Sequence, residues 1–545
     1  MPRMLLRRAE CPRHAALIVA AGLRGQYPAA GLEFPAFRFP SGYADDLFSL
    51  PVPDPDQLNE RQLRAAAALL NAGWPVADEL GQLFAAAGHE LAVVGGPVRD
   101  RFLGRRHGDL DLTTDARPAQ VAQIVSGWAD QMWTIGVAFG TVGVRKGSLT
   151  LEITTYRSDT YDRSSRKPAV EYGTSLEDDL SRRDFTVNAM AARLPGYQLV
   201  DPFGGLADLR RKVLRTPGPP EKSFSDDPLR MLRAGRFTAE LGFTVAPEVR
   251  LAMTEMAGLL GPPKVSAERI EGELTKLLRS KLRGGPAAGI ALLVETGVAD
   301  QVLPEIPRLR LESDEHFRHK DVYQHSLTVL SQAIDLEHRY GLDRDIVLRL
   351  AALLHDIGKP RTRTRLPDGR VAFHHHEVIG ANLARKRLTQ LRYRRDIVDE
   401  VSKLIELHLR FHGYGEGEWT DSAVRRYVTD AGPLLTRLHA LTRADCTTRN
   451  RAKAARLEQA YDSLEARIAE LAAQEELDSI RPDLDGHEIM AILGIPPGPL
   501  VGRAYRHLRE LRIENGPLGR DRAVQELLGW ARSAGVGPPT PGPAE

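Results

Sequence analysis

The fold of the central region is decided by two stretches, VVGGPVRD at Val93–Asp100 and, soon after it, GDLDLTT at Gly108–Thr114. Apolar residues up to Val94 favour a buried strand, two glycines interrupt it, and the apolar spacing after Pro97 is that of a helical turn. The second stretch alternates between apolar and polar residues, as a half-buried strand does. The sequence therefore predicts a strand, a glycine turn, a short helix and a second strand.

The glycine turn indicates a site for a phosphorylated ligand. Gly95 and Gly96 leave backbone N–H groups free where the short helix begins. Those groups, together with the positive end of the helix, can hold a triphosphate without any side chain. The turn is a weak signal by itself and gains weight only from the chemistry beside it.

Asp109 and Asp111 supply that chemistry. In a strand these two side chains point to one face, while Leu110 and Leu112 point to the other. Two neighbouring carboxylates repel each other unless divalent ions lie between them, and Mg²⁺ shared with substrate phosphates is typical of phosphoryl or nucleotidyl transfer. The alternative is a solvated Asp-x-Asp turn, and the glycine turn upstream favours the catalytic interpretation.

A third carboxylate follows in the stretch LTLEITT at Leu149–Thr155. Its alternation places Glu152 on the face opposite Leu151 and Ile153. Glu152 is therefore a candidate to join the two aspartates in catalysis. A glutamate on an edge strand without any catalytic task fits the same alternation, because half-buried strands carry polar residues on one face.

Length and charge bound the function classes. A chain of 545 residues exceeds the size of one hydrophobic core and should hold several domains. Lys and Arg number 74 against 72 acidic residues, so no global basicity indicates nucleic-acid binding. Any RNA site must be a local patch, for which the basic segment Asp208–Arg236 is a candidate. A solvated helix face is the alternative for that segment.

The remaining composition indicates a cytoplasmic protein. Cys11 and Cys446 are the only cysteines, which excludes a disulfide framework and fits a reducing compartment. No apolar run approaches the ~18 residues of a membrane helix, so no membrane is expected. Residues 1–56 are proline-rich and lack periodicity, and we expect a disordered extension there.

Several further motifs follow in a fixed order. After the glycine turn and Asp-x-Asp come RRDFTVNA at Arg182–Ala189, DPFGGLADL at Asp201–Leu209 and DDPLR at Asp226–Arg230. The ordered set, spanning roughly residues 90–280, resembles the class II tRNA nucleotidyltransferases, a family that contains CCA-adding enzymes and bacterial poly(A) polymerases. Arg182–Ala189 is the most specific of these motifs.

The resemblance implies roles for the site residues. Asp109 and Asp111 would bind two Mg²⁺ ions that align the RNA 3′-hydroxyl with the α-phosphate, with Glu152 as a possible third catalytic carboxylate. Arg183, Asp184 and Asn188 would contact ribose and phosphate. The implied nucleotide-binding set is Gly95, Gly96, Arg99, Arg183, Asp184, Asn188, Asp227, Arg230 and Arg233.

The segment Asp226–Arg230 resembles the Glu-Asp-x-x-Arg template of this family, with Asp226 in place of the usual glutamate. Cytosine and adenine both present an amine donor beside a ring-nitrogen acceptor, which Asp227 and Arg230 can match. Guanine and uracil present a carbonyl there instead. The alternative is an ion pair of these two residues on an exposed helix, worth about 0.2–0.5 kcal/mol. Arg269 and Glu273 match the last motif of the family and would brace this template.

A second pattern begins near residue 316 and contains a His-Asp doublet inside LAALLHDIGKP at Leu350–Pro360. It resembles the HD domain of metal-dependent phosphohydrolases. That resemblance implies one metal on His325, His355, Asp356 and Asp445, and a possible second on His376 and His408. Mn²⁺, Fe, Ni²⁺ or Mg²⁺ suits such donors. The alternative to metal binding for each single histidine is a side chain that is hydrogen-bonded within the protein or exposed to solvent.

We therefore predict an α/β head of the DNA polymerase beta superfamily followed by all-α neck, HD and tail domains. The predicted divisions are residues 1–56, 57–215 (head), 216–300 (neck), 301–460 (HD) and 461–545 (helical, tRNA-binding tail). The predicted reaction is template-independent addition of C, C and A to tRNA from CTP and ATP. Alternatives are a poly(A) polymerase, partial CC or A addition, and HD hydrolysis of phosphates or cyclic phosphates as the main activity. The oligomeric state is left open.

Overall fold

The computed structural model describes most of the chain beyond residue 59. The described residues are 60–72, 74–105, 109–133, 140–158, 171–172, 175–261, 264–311, 321–367, 371–411, 419–448, 450–475 and 481–536. The extension expected over residues 1–56 lies outside them, as does Gly108.

A seven-stranded mixed sheet forms the centre of the head, in the order β3-β4-β5-β2-β1-β8-β9. β2 and β5 run parallel, and the other neighbours in this sheet are antiparallel. The described strands are β1 (Leu91–Val94), β2 (Asp109–Thr114), β3 (Gln131–Trp133), β4 (Thr141–Lys146), β5 (Leu149–Thr155), β6 (Arg157–Ser158), β7 (Glu171–Tyr172), β8 (Ala191–Leu194), β9 (Gln198–Val200), β10 (Val213–Leu214), β11 (Thr244–Val245), β12 (Arg363–Arg365) and β13 (Val371–Phe373).

The local pattern predicted around the glycine turn is confirmed. All four residues of β1 are buried, and Leu110 and Leu112 of β2 are buried while Asp109 and Asp111 are exposed. The helices of the head are α1 (Glu60–Asn71), α2 (Pro75–Ala86), α3 (Gly96–Phe102), α4 (Pro118–Val125), α5 (Leu176–Ser181) and α6 (Gly205–Arg211).

The rest of the described chain is mostly helical, as predicted. Its neck helices are α7 (Pro220–Asp226), α8 (Leu229–Leu241), α9 (Pro247–Met256), α10 (Ala267–Leu278), α11 (Gly285–Glu295) and α12 (Val298–Val302). Later helices are α13 (Val322–Leu336), α14 (Ile346–Leu354), α15 (Lys359–Thr362), α16 (His376–Gln390), α17 (Arg395–Leu407), α18 (Asp421–Ala431), α19 (Leu435–Asp445), α20 (Arg451–Glu475), α21 (Gly486–Leu493), α22 (Pro499–Asn515) and α23 (Arg520–Ser533). Among the described helices, none has the length and apolar character to cross a membrane.

One continuous hydrophobic core extends from Ala66 in the head to Leu471 in α20, and the tail helices have a separate core. A buried arginine, Arg349 on α14, joins the neck to the HD region. It forms an ion pair with Glu337 and donates to the carbonyl oxygens of Leu278 and Ser280. The head, the neck and the HD region therefore pack as one body. The domain division remains a prediction, and its boundary at residue 460 falls inside α20.

Candidate functional site

A cavity of about 510 Å³ lies where β1, β2 and the Arg182–Ala189 segment face the N-terminal part of α8. We call it the head cavity. It is strongly basic, since its lining includes eight arginines and four aspartates. The lining residues are Val94, Gly95, Gly96, Arg99, Asp111, Leu112, Thr113, Thr154, Arg157, Asp179, Arg182, Arg183, Asp184, Asn188, Asp227, Leu229, Arg230, Arg233, Arg236, Phe237 and Arg269.

The predicted catalytic carboxylates share one exposed face of the sheet. Asp111 lines the head cavity, whereas Asp109, two residues earlier on the same face, does not. Glu152 on β5 is the parallel-strand partner of Asp111 and is also exposed. The groups of three or more donors within 4.8 Å of one another that occur among the described residues are both in the HD region. The structure therefore places these three carboxylates side by side without gathering their oxygens into a closed metal cage.

The glycine turn lies directly against the motif Arg182–Ala189. Gly95 has a φ of 76°, which favours glycine, and its N–H donates to the Met190 carbonyl oxygen at 3.1 Å. An added Cβ would come within 2.8 Å of Nη1 of Arg183. A side chain at residue 95 would be strained at this φ and would displace the Arg183 guanidinium.

A buried polar network connects the head to α8. Arg99 donates to Asn188 at 2.6 Å, Asn188 donates to Asp184 at 2.9 Å, and Arg233 of α8 donates to Asp184 at 2.5 and 2.8 Å. Burial by itself would raise the pKa of Asp184, but Arg233, Asn188 and the Phe185 amide together lower it to about 2. The carboxylate is therefore ionised at neutral pH and fixes the position of α8 against the head.

The two predicted template residues have separate protein partners. Asp227 pairs with Arg269 at 2.8 Å, and Arg230 donates to Oγ of Ser223 at 2.8 Å and to the Arg182 carbonyl oxygen. The alternative of an Asp227–Arg230 ion pair on an exposed helix is therefore not what the structure shows. Both side chains line the head cavity instead.

Sequence reasoning did not single out several residues of the cavity wall. Asp179 is buried and pairs with Arg182 at 2.6 Å and Arg183 at 3.2 Å. Burial opposes ionisation of Asp179, yet these two arginines hold its pKa below the usual value. Phe237 lies beneath three guanidinium groups, the nearest being Arg236 with its Cζ 4.1 Å from the ring centroid. Arg182 is the first residue of a specific motif and could have been assigned a role, whereas Asp179 and Phe237 carry no sequence signal.

Six predicted HD residues lie together as two adjoining groups, which we call the histidine cluster. The first group is His325, His355 and Asp445, and the second is Asp356, His376 and His408. Nε2 of His325 lies 2.9 Å from Oδ1 of Asp445 and 3.2 Å from Nε2 of His355.

Asp356 joins the two groups. Its Oδ2 lies 3.2 Å from Nε2 of His355, and its Oδ1 lies 3.4 Å from Nε2 of His376. Gly358 permits this arrangement, because an added Cβ would overlap the His376 carbonyl oxygen where α16 begins. One carboxylate therefore faces both halves of the cluster.

Backbone carbonyls orient three of the imidazoles in the same way. Nδ1 of His355, His376 and His408 donates to the carbonyl oxygen three residues earlier, at 2.9, 2.8 and 2.6 Å respectively. The hydrogen bond at Nδ1 leaves Nε2 as the lone-pair donor on each ring. The rings are therefore set to offer Nε2 to a common ligand.

The electrostatics of the histidine cluster fit a divalent metal. Oδ2 of Asp356 is buried without a hydrogen bond, although Nζ of Lys359 lies 3.0 Å away. Burial would lower the pKa of His355, but Asp356 and Asp445 raise it to about 9. Burial and the charge of His355 lower the pKa of His408 to about 3. A divalent cation would replace the proton on Nε2 of His355 and would interact with the buried Oδ2 of Asp356.

Three family models match the chain in the head, in the later part of the neck and in the HD region. They are described as "Poly A polymerase head domain" (residues 91–215), "Probable RNA and SrmB- binding site of polymerase A" (residues 242–309) and "HD domain" (residues 322–472). The fold and the motifs thus define a nucleotidyltransferase head joined to an HD domain.

Individual relatives define the family more closely. An A-adding tRNA nucleotidyltransferase of Deinococcus radiodurans is 36% identical over 427 residues, which is 77% of this chain and 91% of that protein. A CCA-adding enzyme of Geobacillus stearothermophilus is 43% identical over 214 residues, 39% of this chain and 50% of that protein. The chain belongs to the tRNA nucleotidyltransferase and poly(A) polymerase family, which confirms the resemblance. It spans about half the length of the CCA-adding relatives that it matches.

Solved structures confirm the predicted fold class. The Bacillus stearothermophilus CCA-adding enzyme in complex with CTP has a TM-score of 0.61 at 26% identity, covering 85% of this chain and 98% of that one. The Thermotoga maritima CCA-adding enzyme complexed with tRNA has a TM-score of 0.55 at 19% identity, covering 85% and 98%. The mixed sheet and the helical remainder are shared with these structures.

Proposed function

We propose that the chain is a tRNA nucleotidyltransferase that adds C, C and A to tRNA 3′ ends from CTP and ATP. One observation carries the proposal: the head cavity brings eight arginines and four aspartates together beside the Asp-x-Asp strand. The excess of cations suits the several negative charges of a nucleoside triphosphate. The named activities of the relatives support the same reaction.

Asp109 and Asp111 would hold two Mg²⁺ ions, because exposed carboxylates completed by substrate phosphates are the ligands that Mg²⁺ prefers. When bound, the ions supply charge neutralisation and alignment of the RNA 3′-hydroxyl with the α-phosphate. The arginines of the cavity wall orient the triphosphate. Asp184 holds Arg233, and with it α8, in place for the base.

Base selection would fall to Asp227 and Arg230. Both side chains already hold protein partners, yet a carboxylate accepts about four hydrogen bonds and a guanidinium donates five. Capacity therefore remains for an exocyclic amine on Asp227 and a ring nitrogen on Arg230. A guanine or uracil carbonyl would meet the Asp227 oxygens without a proton between them, a mismatch of about 1–3 kcal/mol.

The test is extension of a tRNA that lacks its CCA end, with Mg²⁺ and with CTP alone, ATP alone or both. The expected products are two added C residues with CTP and one further A when both nucleotides are present. Long A tracts with ATP alone would identify a poly(A) polymerase. No extension under any of the three conditions would overturn the proposal.

A-addition alone is a second candidate, and a specific observation favours it. The Deinococcus radiodurans A-adding relative matches over 91% of its length, whereas the CCA-adding relative from Geobacillus stearothermophilus matches over 50%. A tRNA substrate ending in CC distinguishes the two activities. An A-adding enzyme extends that substrate with ATP but adds nothing to a tRNA lacking all three nucleotides when CTP is the sole nucleotide.

The histidine cluster would bind a divalent transition metal or Mg²⁺ and hydrolyse phosphates or cyclic phosphates at RNA ends. Its support is the common orientation of the Nε2 atoms and the buried oxygen of Asp356. The helical tail would bind tRNA, and the two cysteines favour a cytoplasmic location.

A further inference from the structure

A row of basic residues leads away from the histidine cluster along the segment 359–365. We call Lys359, Arg361, Arg363 and Arg365 the basic ridge. None of these four side chains lines the head cavity or belongs to the donor groups of the histidine cluster. All three arginines are exposed, and Lys359 is half-buried.

The ridge begins at the histidine cluster itself. Nζ of Lys359 lies 3.0 Å from Oδ2 of Asp356 and 5.6 Å from the ring centroid of Phe373. Phe373 is the antiparallel partner of Arg363 in the β12–β13 pair, and Val371 is the partner of Arg365. Arg363 and Arg365 therefore lie on one strand of this hairpin, and Lys359 and Arg361 precede them on α15, which begins beside the cluster.

The spacing of the ridge suits a chain of phosphates. Arg363 and Arg365 are two residues apart on β12, so their side chains share a face and their Cα atoms lie about 6.6 Å apart. Single-stranded nucleic acid presents its charges at regular intervals of similar size. Neither Arg361 nor Arg365 forms an ion pair with a carboxylate of the described residues. The basic 3₁₀ turn Pro307–Leu311, with exposed Arg308, packs against α15 and widens the positive surface.

We propose that the basic ridge binds the phosphate backbone of a single-stranded RNA end and directs that end to the histidine cluster. The chemistry of the histidine cluster, where the ridge begins, favours RNA over an acidic protein, because the cluster presents metal donors that suit a terminal phosphate. The choice of RNA also rests on the proposed function, in which the same chain handles tRNA 3′ ends. Binding by the ridge requires no hydrolysis at the cluster.

The test compares two double variants of the full chain. Arg361→Gln with Arg365→Gln removes two ridge cations that lack ion pairs to described carboxylates. Arg385→Gln with Arg395→Gln is the matched control, because it removes two exposed cations from α16 and α17 that both pair with Asp399. Fluorescence anisotropy measures binding of an eight-nucleotide single-stranded RNA that carries a 3′-phosphate, over a range of KCl concentrations. Thermal melting confirms that each variant is folded.

The expected result is that the ridge variant binds more weakly and that its plot of log K against log[salt] is shallower by about 1.4, since each phosphate contact on a single strand contributes about 0.7. The control should keep the wild-type slope. Equal changes in both variants, or none in either, would overturn the proposal. Equal competition by an acidic peptide of the same charge would assign the ridge to a protein partner and would also overturn it.

The outcome is separable from that of the proposed function. Nucleotide addition to tRNA is assayed on the same preparations, and the ridge variant should retain the wild-type rate on a short primer. If the wild-type chain adds no nucleotide while the ridge still binds RNA, the proposed function fails and the ridge proposal stands. If addition proceeds and the salt slope is unchanged, the ridge proposal fails alone.

Discussion

The head cavity and the histidine cluster differ in how complete each site is without its ligand. In the head, Asp109 and Asp111 lie on an open sheet face, and among the residues that the structure describes their oxygens belong to no group of three donors within 4.8 Å. In the HD region, six donors already lie in two compact groups, and backbone carbonyls orient three of the four imidazoles in the same way. The difference fits our proposal that the substrate completes the first site, whereas the protein itself brings the donors of the second site together.

The donor chemistry explains this contrast. Mg²⁺ uses one or two carboxylates and takes substrate phosphates as further ligands, so a closed protein cage is not needed. Imidazole donors suit transition metals. Hydrogen bonds from groups outside the ligand shell fix the orientation of each imidazole ring. The two sites should therefore respond differently to substitution.

The largest effect is expected in the head. Asp111→Ala should lower nucleotide addition by about 10³-fold or more, because a metal ligand stabilises the transition state by several kcal/mol. Asp115→Ala, just beyond the other end of β2 and outside the cavity, is the matched control and should change the rate little. Single-turnover extension of tRNA measures both. Continued nucleotide addition by the Asp111→Ala variant would show that Asp111 is not a metal ligand of the head site.

The next largest effect concerns metal content. We expect a divalent metal to purify with the wild-type chain and Asp356→Asn to lose most of it, because this one carboxylate faces both groups of donors. Nucleotide addition with Mg²⁺ should stay within about twofold of wild type. Mass spectrometry of the metals and the extension assay measure the two properties. The control is His374→Ala, at an exposed residue near the cluster, which should keep the wild-type metal content. Equal loss of metal in both variants would show that the cluster is not the binding site.

A smaller effect is expected on base selection. Arg230→Ala should reduce the preference for C and A over U and G by about 10- to 100-fold, because one hydrogen-bonding partner of the base is lost. Triphosphate binding should weaken much less, since other arginines line the same wall. Competition between nucleotides in single-turnover reactions measures selectivity. Arg211→Ala, at an exposed arginine, is the control and should keep the wild-type selectivity. The same selectivity in the Arg230→Ala variant would show that Arg230 does not take part in base selection.

The smallest effect is on stability and depends on pH. The pKa of Asp184 is lowered from 3.8 to about 2 in the folded chain, so its ionised form stabilises the protein above pH 3.8 by roughly 2 kcal/mol. That contribution is lost as the pH falls from 3.8 towards 2. Asp184→Asn should therefore cost most at neutral pH, and the cost should shrink as the solution is acidified.

Chemical denaturation from pH 7 to pH 2.5 measures this difference. Asp335→Asn is the control, because Asp335 is an exposed partner of Arg283 and such a pair contributes about 1 kcal/mol or less. A cost of Asp184→Asn that is the same at every pH would mean that the network does not depend on its charge.

The sequence predicted more of the candidate site residues in the HD region than in the wall of the head cavity. His355 and Asp356 are adjacent in a distinctive motif, and the resemblance of that motif to a known domain led to four more candidate ligands that the structure brings together. Asp179 and Phe237 could not be found in this way. Their roles arise from contacts with arginines of other elements, and no local pattern encodes such contacts.

Periodicity and motif order by themselves determined the strands around Gly95, the shared face of Asp109 and Asp111, the helical character of the later regions and the family. Only the tertiary structure decided that Asp227 pairs with Arg269 rather than Arg230, and that Asp356 faces both groups of histidines. The physical reason is that alternation and motifs report the burial and geometry of a residue on its own element. Which charge lies beside which depends on how distant elements pack, and that packing is a property of the whole fold.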